Sequence, residues 1–524
     1  MQKETEPKHW ADQAAENIIR EKGEKKLYTC AAGITPSGTI HIGNFREIIT
    51  VDLVSRALKN LGRNVRFIYS WDDFDAFRKV PADAPKKELL DKYLRYQITE
   101  VPDTYDGSHK SYAEHNEKEV EETLPFVNIH PEFIYQAKKY RKCDYAEQIK
   151  YVLENKAEIK KILDKYRAEE KSENWWPVSV FCDKCKKDTT RIIDWDENYS
   201  LTYECDCGHK ETFDFRKKGI AKLPWRIDWP MRWHYEKVDF EPGGKEHSTP
   251  GGSRTTGNEI YELLYKEKAP VYLKYDFITI KGTGGKISKS LGNVVSLKDT
   301  LEVYEPNIVR WLFAGTRPDA EFAISFDLDV LKLYEDFDRV ERIYFDTEKV
   351  KDQKEAKKQK RIYELSVTEL PKKLPLQAQF RHLTTLLQIY DNDFDKIKEI
   401  YREKIKDDYD LKKLKNRCDC VWNWLQKYAP EEFKFKVQND VNAKLNEKEK
   451  EALLLLKDRL EKNKYDDQTL FEEFYNVCKE VNIDNKEFFK AAYKVLVNKE
   501  RGPKLANFIL TLGKEKVISL LKKI

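Results

Sequence analysis

The sequence predicts an α/β protein: a doubly wound Rossmann-like domain carries a zinc-containing insertion and is followed by an all-α C-terminal domain. Three observations predict it. The apolar run 27–30 leads through a glycine-bearing turn into a helical stripe at Ile48, Ile49, Val51, Leu53, Val54, Ala57, Leu58 and Leu61. Strand, turn and helix in that order are how nucleotide-binding sheets place a ligand at the carboxyl end of a strand. Cysteines at 182, 185, 205 and 207, with His209, interrupt the α/β pattern at metal-ligand spacing. After residue 345 the strand pattern stops and helical apolar stripes take over.

Taken in order, residues 1–23 read as an amphipathic helix with Trp10, Ala14 and Ile18 on one face and Gly23 as its stop. Residues 1–80 hold this helix and the first half of the nucleotide-binding domain. Residues 81–215 lack clean βαβ alternation and read as an insertion. Residues 216–275 return to the α/β pattern and form the second half. Residues 276–345 carry a lysine-bearing loop and a helical connector, and residues 346–524 form the helical domain. Within it, 349–361 reads as a linker or solvated helix. The stripes are 453–456 with Leu460, then Leu470, Phe471, Phe474 and Cys478, then Phe488, Phe489, Ala492 and Leu496.

At 524 residues the chain exceeds what one core supports and suggests several modules. A 40% hydrophobic and 36% charged composition fits a soluble globular protein. The net charge of +4 means any nucleic-acid surface arises from local patches. Nine clustered cysteines do not make a secreted disulfide framework, and no long apolar run is present, so a cytoplasmic protein is expected.

Chemistry concentrates in two stretches. In the first, His41 and Asn44 open the helix, where main-chain N–H groups and the helix dipole favour phosphate, and Gly38 and Gly43 admit a planar base and ribose. In the second, Lys281-Gly-Thr-Gly-Gly-Lys286-Ile-Ser288-Lys289-Ser290, glycines make a loop that can move, and two lysines suit a triphosphate whose charge is neutralised in the transition state. His41-Ile-Gly-Asn44 and Lys286-Ile-Ser-Lys-Ser290, in this order, resemble the two signatures of class I aminoacyl-tRNA synthetases. Ile287 stands where the second usually has Met, a volume-conserving change.

Further blocks, 33–38, Ser70-Trp-Asp-Asp-Phe-Asp75, 222–233, 321–327 and 499–503, resemble class I lysyl-tRNA synthetases over nearly the whole chain. The glutamyl-tRNA synthetases share both signatures but carry an arginine on the first strand for the substrate carboxylate. Here that position is Ala31, and without a cation the site cannot repay desolvation of a glutamate side chain. Asp72, Asp73 and Asp75 offer negative charge to a lysine ammonium; helix capping or polarity near Mg²⁺ explains them equally well.

The resemblance implies ATP-dependent ligation of L-lysine to tRNA(Lys) through a lysyl-adenylate, with ATP, Mg²⁺ and Zn²⁺ as cofactors; a glutamyl-type synthetase or related adenylating enzyme is the alternative. It implies His41, Asn44, Lys286 and Lys289 as catalytic, and Gly38, Gly43, Gly251, Gly252 and Ser288 as further ATP contacts. Substrate contacts implied are Gly33, Thr35, Trp225, His247 and Tyr275, with Trp229 and Trp233 left to the core; Asp72 joins them on its charge alone. The helical domain is implied to bind the anticodon. For the zinc, the spacing favours Cys182, Cys185, Cys205 and His209, with Cys207 the alternate. The resemblance also suggests a second metal site at Asp103, His109 and His115, although Ser108 stands where the family has a cysteine.

Overall fold

The structure, a computed structural model, describes residues 8–281, 285–286 and 294–524. It divides into two compact units: Met1–Thr300 with Pro306–Ile324 and Asp346–Leu370, and Leu301–Glu305 with Ser325–Phe345 and Pro371–Ile524.

The first unit is built on a parallel sheet of β1 (Tyr28–Ile34), β2 (Val65–Trp71), β3 (Glu132–Tyr135) and β4 (Val238–Phe240), in the order β3-β2-β1-β4. Phe240 bridges Val271, and Gly243–Gly244 pair in parallel with Lys274–Tyr275, which carries the sheet pattern to a further edge. The first five residues of β1 are all buried, as a central parallel strand requires. Helix α2 (Ile42–Asn60) follows β1 and buries residues all round its axis, including Phe45, Ile49, Leu53 and Leu58. A helix buried on every side is packed between layers.

Helix α1 (Trp10–Lys22) starts at Trp10, with the His9 side chain accepting from the Ala11 N–H at 3.1 Å. Its buried residues are Ala11, Ala15 and Ile18, so the inward face is turned slightly from the Trp10, Ala14 and Ile18 stripe. The Trp10 indole reaches sideways and donates to the Ala314 carbonyl at 3.1 Å.

The stretch 81–215 is not one insertion. Its middle contains β3, a full member of the main sheet in register with Ile68–Trp71. Four residues with one buried position give no periodic signal, which is why the sequence hides it. What is inserted lies beyond β3: the antiparallel sheet of Thr190–Trp195, Ser200–Cys205 and Lys210–Asp214.

The segment 346–370 also departs from expectation. It contains helix Gln353–Ser366, capped by Asp352, and belongs to the first unit. Arg361 forms a bidentate pair with Asp12 at 2.6 and 2.9 Å, and Ile362 and Tyr363 are buried. Buried Arg310 binds the Leu365 and Ser366 carbonyls and Asp52 Oδ2, at 3.1, 3.0 and 2.6 Å. The charged surface reads as solvated in sequence because these partners lie far away in the chain.

The second unit is helical from Pro371 onward among the described residues. One core gathers Leu453, Leu456, Leu460, Leu470, Phe474, Cys478, Phe488, Ala492 and Leu496. Phe471 is an exception to the predicted stripe: it is 47% exposed and meets Tyr475 edge to face. A second anchor is charged. Arg417, on helix Asp408–Lys427, bridges Glu305 and Asp338 in a buried triad.

Candidate active site and metal clusters

The turn between β1 and α2 is held by its own residues. The His41 N–H donates to Asn44 Oδ1 at 3.2 Å, and the Asn44 N–H donates back to the His41 carbonyl at 2.8 Å. This pair fixes the helix start and leaves the dipole's positive end at the turn. A Cβ on Gly43 would lie 2.8 Å from His41 Nδ1, so glycine keeps room for the imidazole. Gly38 is buried within the same turn.

The chain returns to this turn after the second signature. The Ile42 N–H donates to the Val295 carbonyl at 2.7 Å, and His41 forms an antiparallel bridge with Ser296. On the other side of the stretch, β5 (Ile278–Ile280) pairs antiparallel with Gly285–Lys286. The lysine-bearing stretch is therefore anchored at both ends, one of them on the first signature itself. Lys286 is described through its backbone pairing alone; Ser288 and Lys289 lie outside the described residues.

Arg46 supports this arrangement and was not legible in the sequence. It is 2% exposed, and its guanidinium donates to the carbonyls of Asp276, Phe277, Arg317 and Ala320 at 3.0, 3.2, 2.8 and 2.7 Å. It ties the second turn of α2 to the segment just before β5.

At the end of β1, Gly33 is fixed by crowding: a Cβ there would stand 2.8 Å from the Ser70 carbonyl oxygen on β2. The Gly33 N–H donates to Glu47 Oε1 at 3.0 Å, and the Tyr275 hydroxyl donates to Glu47 Oε2 at 2.7 Å. Gly33 and Tyr275, both expected at the substrate, thus share a carboxylate that sequence reasoning did not single out. Burial pushes the Glu47 carboxyl up to about 8, against the two donors that favour its charged form.

Asp72 does not stand open for a substrate cation. Arg232 donates to Asp72 Oδ1 at 2.6 Å, and Arg232 also approaches Asp228 Oδ2 at 3.5 Å. Burial raises the Asp72 carboxyl, and the guanidinium opposes it. Asp75 is paired with Lys222 and accepts from Thr35 Oγ1 at 3.2 Å, while Asp73 accepts the Ala137 N–H at 2.7 Å. The three aspartates are engaged by the protein, against the expectation that they supply charge to a ligand: Arg232 pairs with Asp72 and Lys222 with Asp75, partners invisible in sequence, and a main-chain N–H holds Asp73.

Ala31 is 4% exposed and belongs to an apolar cluster with Ile68, Trp229, Trp233 and Tyr261. The position that would hold a carboxylate-binding arginine lies in an apolar cluster that includes two tryptophans. Trp229 and Trp233 are core, while Trp225 stacks on Trp229 at 4.9 Å and stays half-buried. His247 is half-buried, 5.7 Å from the Trp229 ring, and burial lowers its pKa. Gly252 caps helix Ser253–Tyr265, and Arg226 donates to the Gly251 carbonyl. A cavity of about 590 Å³ opens beside Trp225 and Gly251, lined by Arg78, Arg167, Lys171 and Arg226 with Tyr166 and Trp175.

In the inserted sheet, Cys182, Cys185, Cys205 and Cys207 bring their sulfurs within 4.8 Å of one another. Cys182 and Cys207 are 3.7 Å apart, and Cys185 and Cys205 3.5 Å. Tetrahedral zinc with Zn–S near 2.3 Å needs sulfurs about 3.8 Å apart, so four thiolates fit it. His209 is outside the set, contrary to the favoured spacing. The Cys205 N–H donates to the His209 carbonyl at 2.9 Å, closing a tight turn that carries Cys207 at its tip, and the His209 ring faces Glu211 at 3.5 Å.

The second cluster also changes membership. Asp103, Asp106 and His115 converge, with His115 Nδ1 3.3 and 3.6 Å from the two carboxylates. His109 gives Asp103 its main-chain N–H at 3.2 Å and turns its ring edge-on to His115. Ser108 donates to Asp106 at 2.7 Å. Each group already has a protein partner, so the geometry is accounted for without an ion.

A parallel nucleotide-binding sheet with its first turn bonded to the far end of a lysine-bearing stretch is the frame of a class I aminoacyl-tRNA synthetase. The family model described as tRNA synthetases class I (K) matches residues 8–369, and one described as Anticodon binding domain matches residues 378–524. The chain belongs to the class I (K) tRNA synthetases. The break between the two matches falls where the first unit ends, at Leu370. The lysine--tRNA ligase of Borrelia garinii subsp. bavariensis is 52% identical, covering 98% of this chain and 99% of that one. Those of Treponema pallidum and Pyrococcus furiosus are 46% and 43% identical, each covering 98% of this chain, and 98% and 99% of their own lengths. Among the described residues no helix is long and apolar enough to cross a membrane.

Proposed function

We infer that this chain is a lysine--tRNA ligase, joining L-lysine to tRNA(Lys) at the expense of ATP. The observation that carries the reading, beside family membership, is the bonding of His41 and Ile42 to the chain that leaves the second signature. In the first step the lysine carboxylate attacks the α-phosphate of ATP and pyrophosphate leaves. In the second, the terminal adenosine hydroxyl of tRNA displaces AMP from the lysyl-adenylate. The attacking carboxylate is already ionised at neutral pH, so positioning and charge stabilisation do the work.

We assign the turn of Gly38, His41, Gly43 and Asn44 to the ATP phosphates and ribose, and Gly251 and Gly252 to the adenosine. We assign Lys286, Ser288 and Lys289 to the triphosphate. Mg²⁺ accompanies ATP and spreads the phosphate charge. Thr35, Trp225 and His247 border the amino acid together with Gly33 and Tyr275. The basic, aromatic cavity beside Trp225 suits the single-stranded 3′ end of tRNA, where bases stack on rings and phosphates meet cations. We place the reaction in the cytoplasm. With purified tRNA(Lys), labelled lysine should be attached and labelled glutamate should not; charging by glutamate in place of lysine would overturn the reading.

The four-cysteine cluster is assigned to one structural zinc. Ligand binding there is folding free energy for the inserted sheet. Elemental analysis should find one zinc per chain, and Cys182→Ser should lose it and expose the 179–214 region to protease, whereas His209→Ala should retain both. Zinc retained in Cys182→Ser and lost in His209→Ala would restore His209 to the ligand set.

A further inference from the structure

Tyr105 joins the Asp103, Asp106 and His115 cluster to the turn of the first signature. Its main-chain N–H donates to Asp103 Oδ1 at 2.9 Å. Its ring stacks on two others: His115 at 4.1 Å between centroids and 11° between planes, and Tyr112 at 5.3 Å and 17°. His115 is itself oriented by Asp103, with Nδ1 3.3 Å from Oδ2. Tyr112 is fully buried, in a core with Phe77, Leu90 and Ile98.

The Tyr105 hydroxyl is constrained as closely as its ring. It donates to Asn116 Oδ1 at 3.3 Å and lies 3.2 Å from the Tyr112 hydroxyl. Asn116 is buried, and its amide donates to the Tyr112 carbonyl at 2.7 Å, which turns Oδ1 toward the phenol. With its one proton given to Asn116, the Tyr105 oxygen accepts from Thr39 Oγ1 at 3.4 Å. Thr39 lies between buried Gly38 and His41, the residue that caps α2. The helix that carries Tyr112 and Asn116, Tyr112–Thr123, then runs on along the same turn. Val120, Thr123 and Leu124 close over Ile40, His41 and Phe45 and leave a cavity of only about 10 Å³.

We propose that Tyr105 is a positioning residue for the ATP turn. Its hydroxyl holds Thr39, and through Thr39 the main chain from Gly38 to His41, in the shape that receives the nucleotide. This rests on the reading of that turn as the ATP site. The His41 end is already tied by Asn44 and by the chain at 295–296. Tyr105 adds a tie on the Gly38 side, from a ring locked by stacking and by a buried amide. Groups that bind a reacting ligand need such support, because small misplacements cost much of the rate. The cluster thereby acquires a role that needs no ion: Asp103 and His115 mount the ring that braces the turn.

The test is steady-state aminoacylation with tRNA, read as kcat/KM for ATP and KM for lysine, on a double-mutant cycle. Tyr105→Phe keeps the stacked ring and loses the hydroxyl; Thr39→Val removes the other partner. Each is expected to lower kcat/KM for ATP about fivefold, the size of one hydrogen bond, with the lysine KM within about twofold of wild type. The double variant should fall no further than either single one, because both remove the same contact. Thr39→Ser, which restores a hydroxyl, should recover most of the loss. Tyr105→Phe with kcat/KM for ATP within about 1.5-fold of wild type overturns the inference, and so do losses that multiply in the double variant. A lysine KM raised as much as that for ATP overturns it too, since that marks general loosening of the fold. His41→Ala separates the two readings. If it lowers kcat/KM for ATP and Tyr105→Phe does not, the brace alone fails. If neither does, the ATP reading of the turn fails and the inference with it. Should Tyr105→Phe fail to fold, Thr39→Val and Thr39→Ser decide: equal values for ATP overturn the proposal.

Discussion

Lys289→Ala is expected to lower kcat for adenylate formation by about 10²-fold or more and to leave the KM for lysine nearly unchanged. The stretch that carries Lys289 is fixed at one end by the pairing of β5 with Gly285–Lys286 and at the other by the Val295 and Ser296 contacts with Ile42 and His41. The expectation follows from the proposed role of Lys289, stabilising charge that builds on the leaving pyrophosphate. An interaction made only in the transition state lowers kcat when removed and spares KM. About 10²-fold corresponds to about 2.7 kcal/mol, the size of one lost stabilising donor. Arginine should rescue poorly, because its planar fork differs from a compact ammonium. His41→Ala should fall comparably. Single-turnover formation of lysyl-adenylate checks this; an unchanged rate in Lys289→Ala would reduce the second signature to a solvated basic turn.

The second large effect is on stability. Arg417 is 1% exposed, and it donates to Asp338 at 2.8 and 2.9 Å, to Glu305 at 3.0 Å and to the Ala378 carbonyl at 3.0 Å. Removing one partner of a buried ion pair leaves uncompensated charge and costs about 3–5 kcal/mol. Arg417→Ala leaves two buried carboxylates, so the helical unit should lose that much in denaturant unfolding. Replacing Glu305, Asp338 and Arg417 together by apolar residues of similar size should recover most of it. A loss below about 1 kcal/mol in the single variant would mean water reaches the triad, against the shape of the site.

What the sequence reveals follows from how local each signal is. The run 27–30, the glycine turn and the stripe along α2 are contiguous, so periodicity finds them. Ala31 is informative because its absence of charge is local too, and the structure adds the apolar cluster it belongs to. β3 escapes because four residues make no pattern. Glu47 escapes because a glutamate on a helix reads as a solvated face, and its partners lie 14 and 228 residues away. Asp72 misleads for the same reason: Arg232, which consumes its charge, is 160 residues downstream. At the four-cysteine cluster, ligand spacing narrows the choice to five residues, and only the turn closed by Cys205 and His209 brings Cys207 to the other three sulfurs.

The central claim is that the chain selects lysine and transfers it to tRNA. It is tested most directly by incubating the purified protein with total tRNA, ATP and Mg²⁺, and each of the twenty radiolabelled amino acids in turn. The account predicts acid-precipitable label with lysine and background with the other nineteen. Label with glutamate and none with lysine would contradict it.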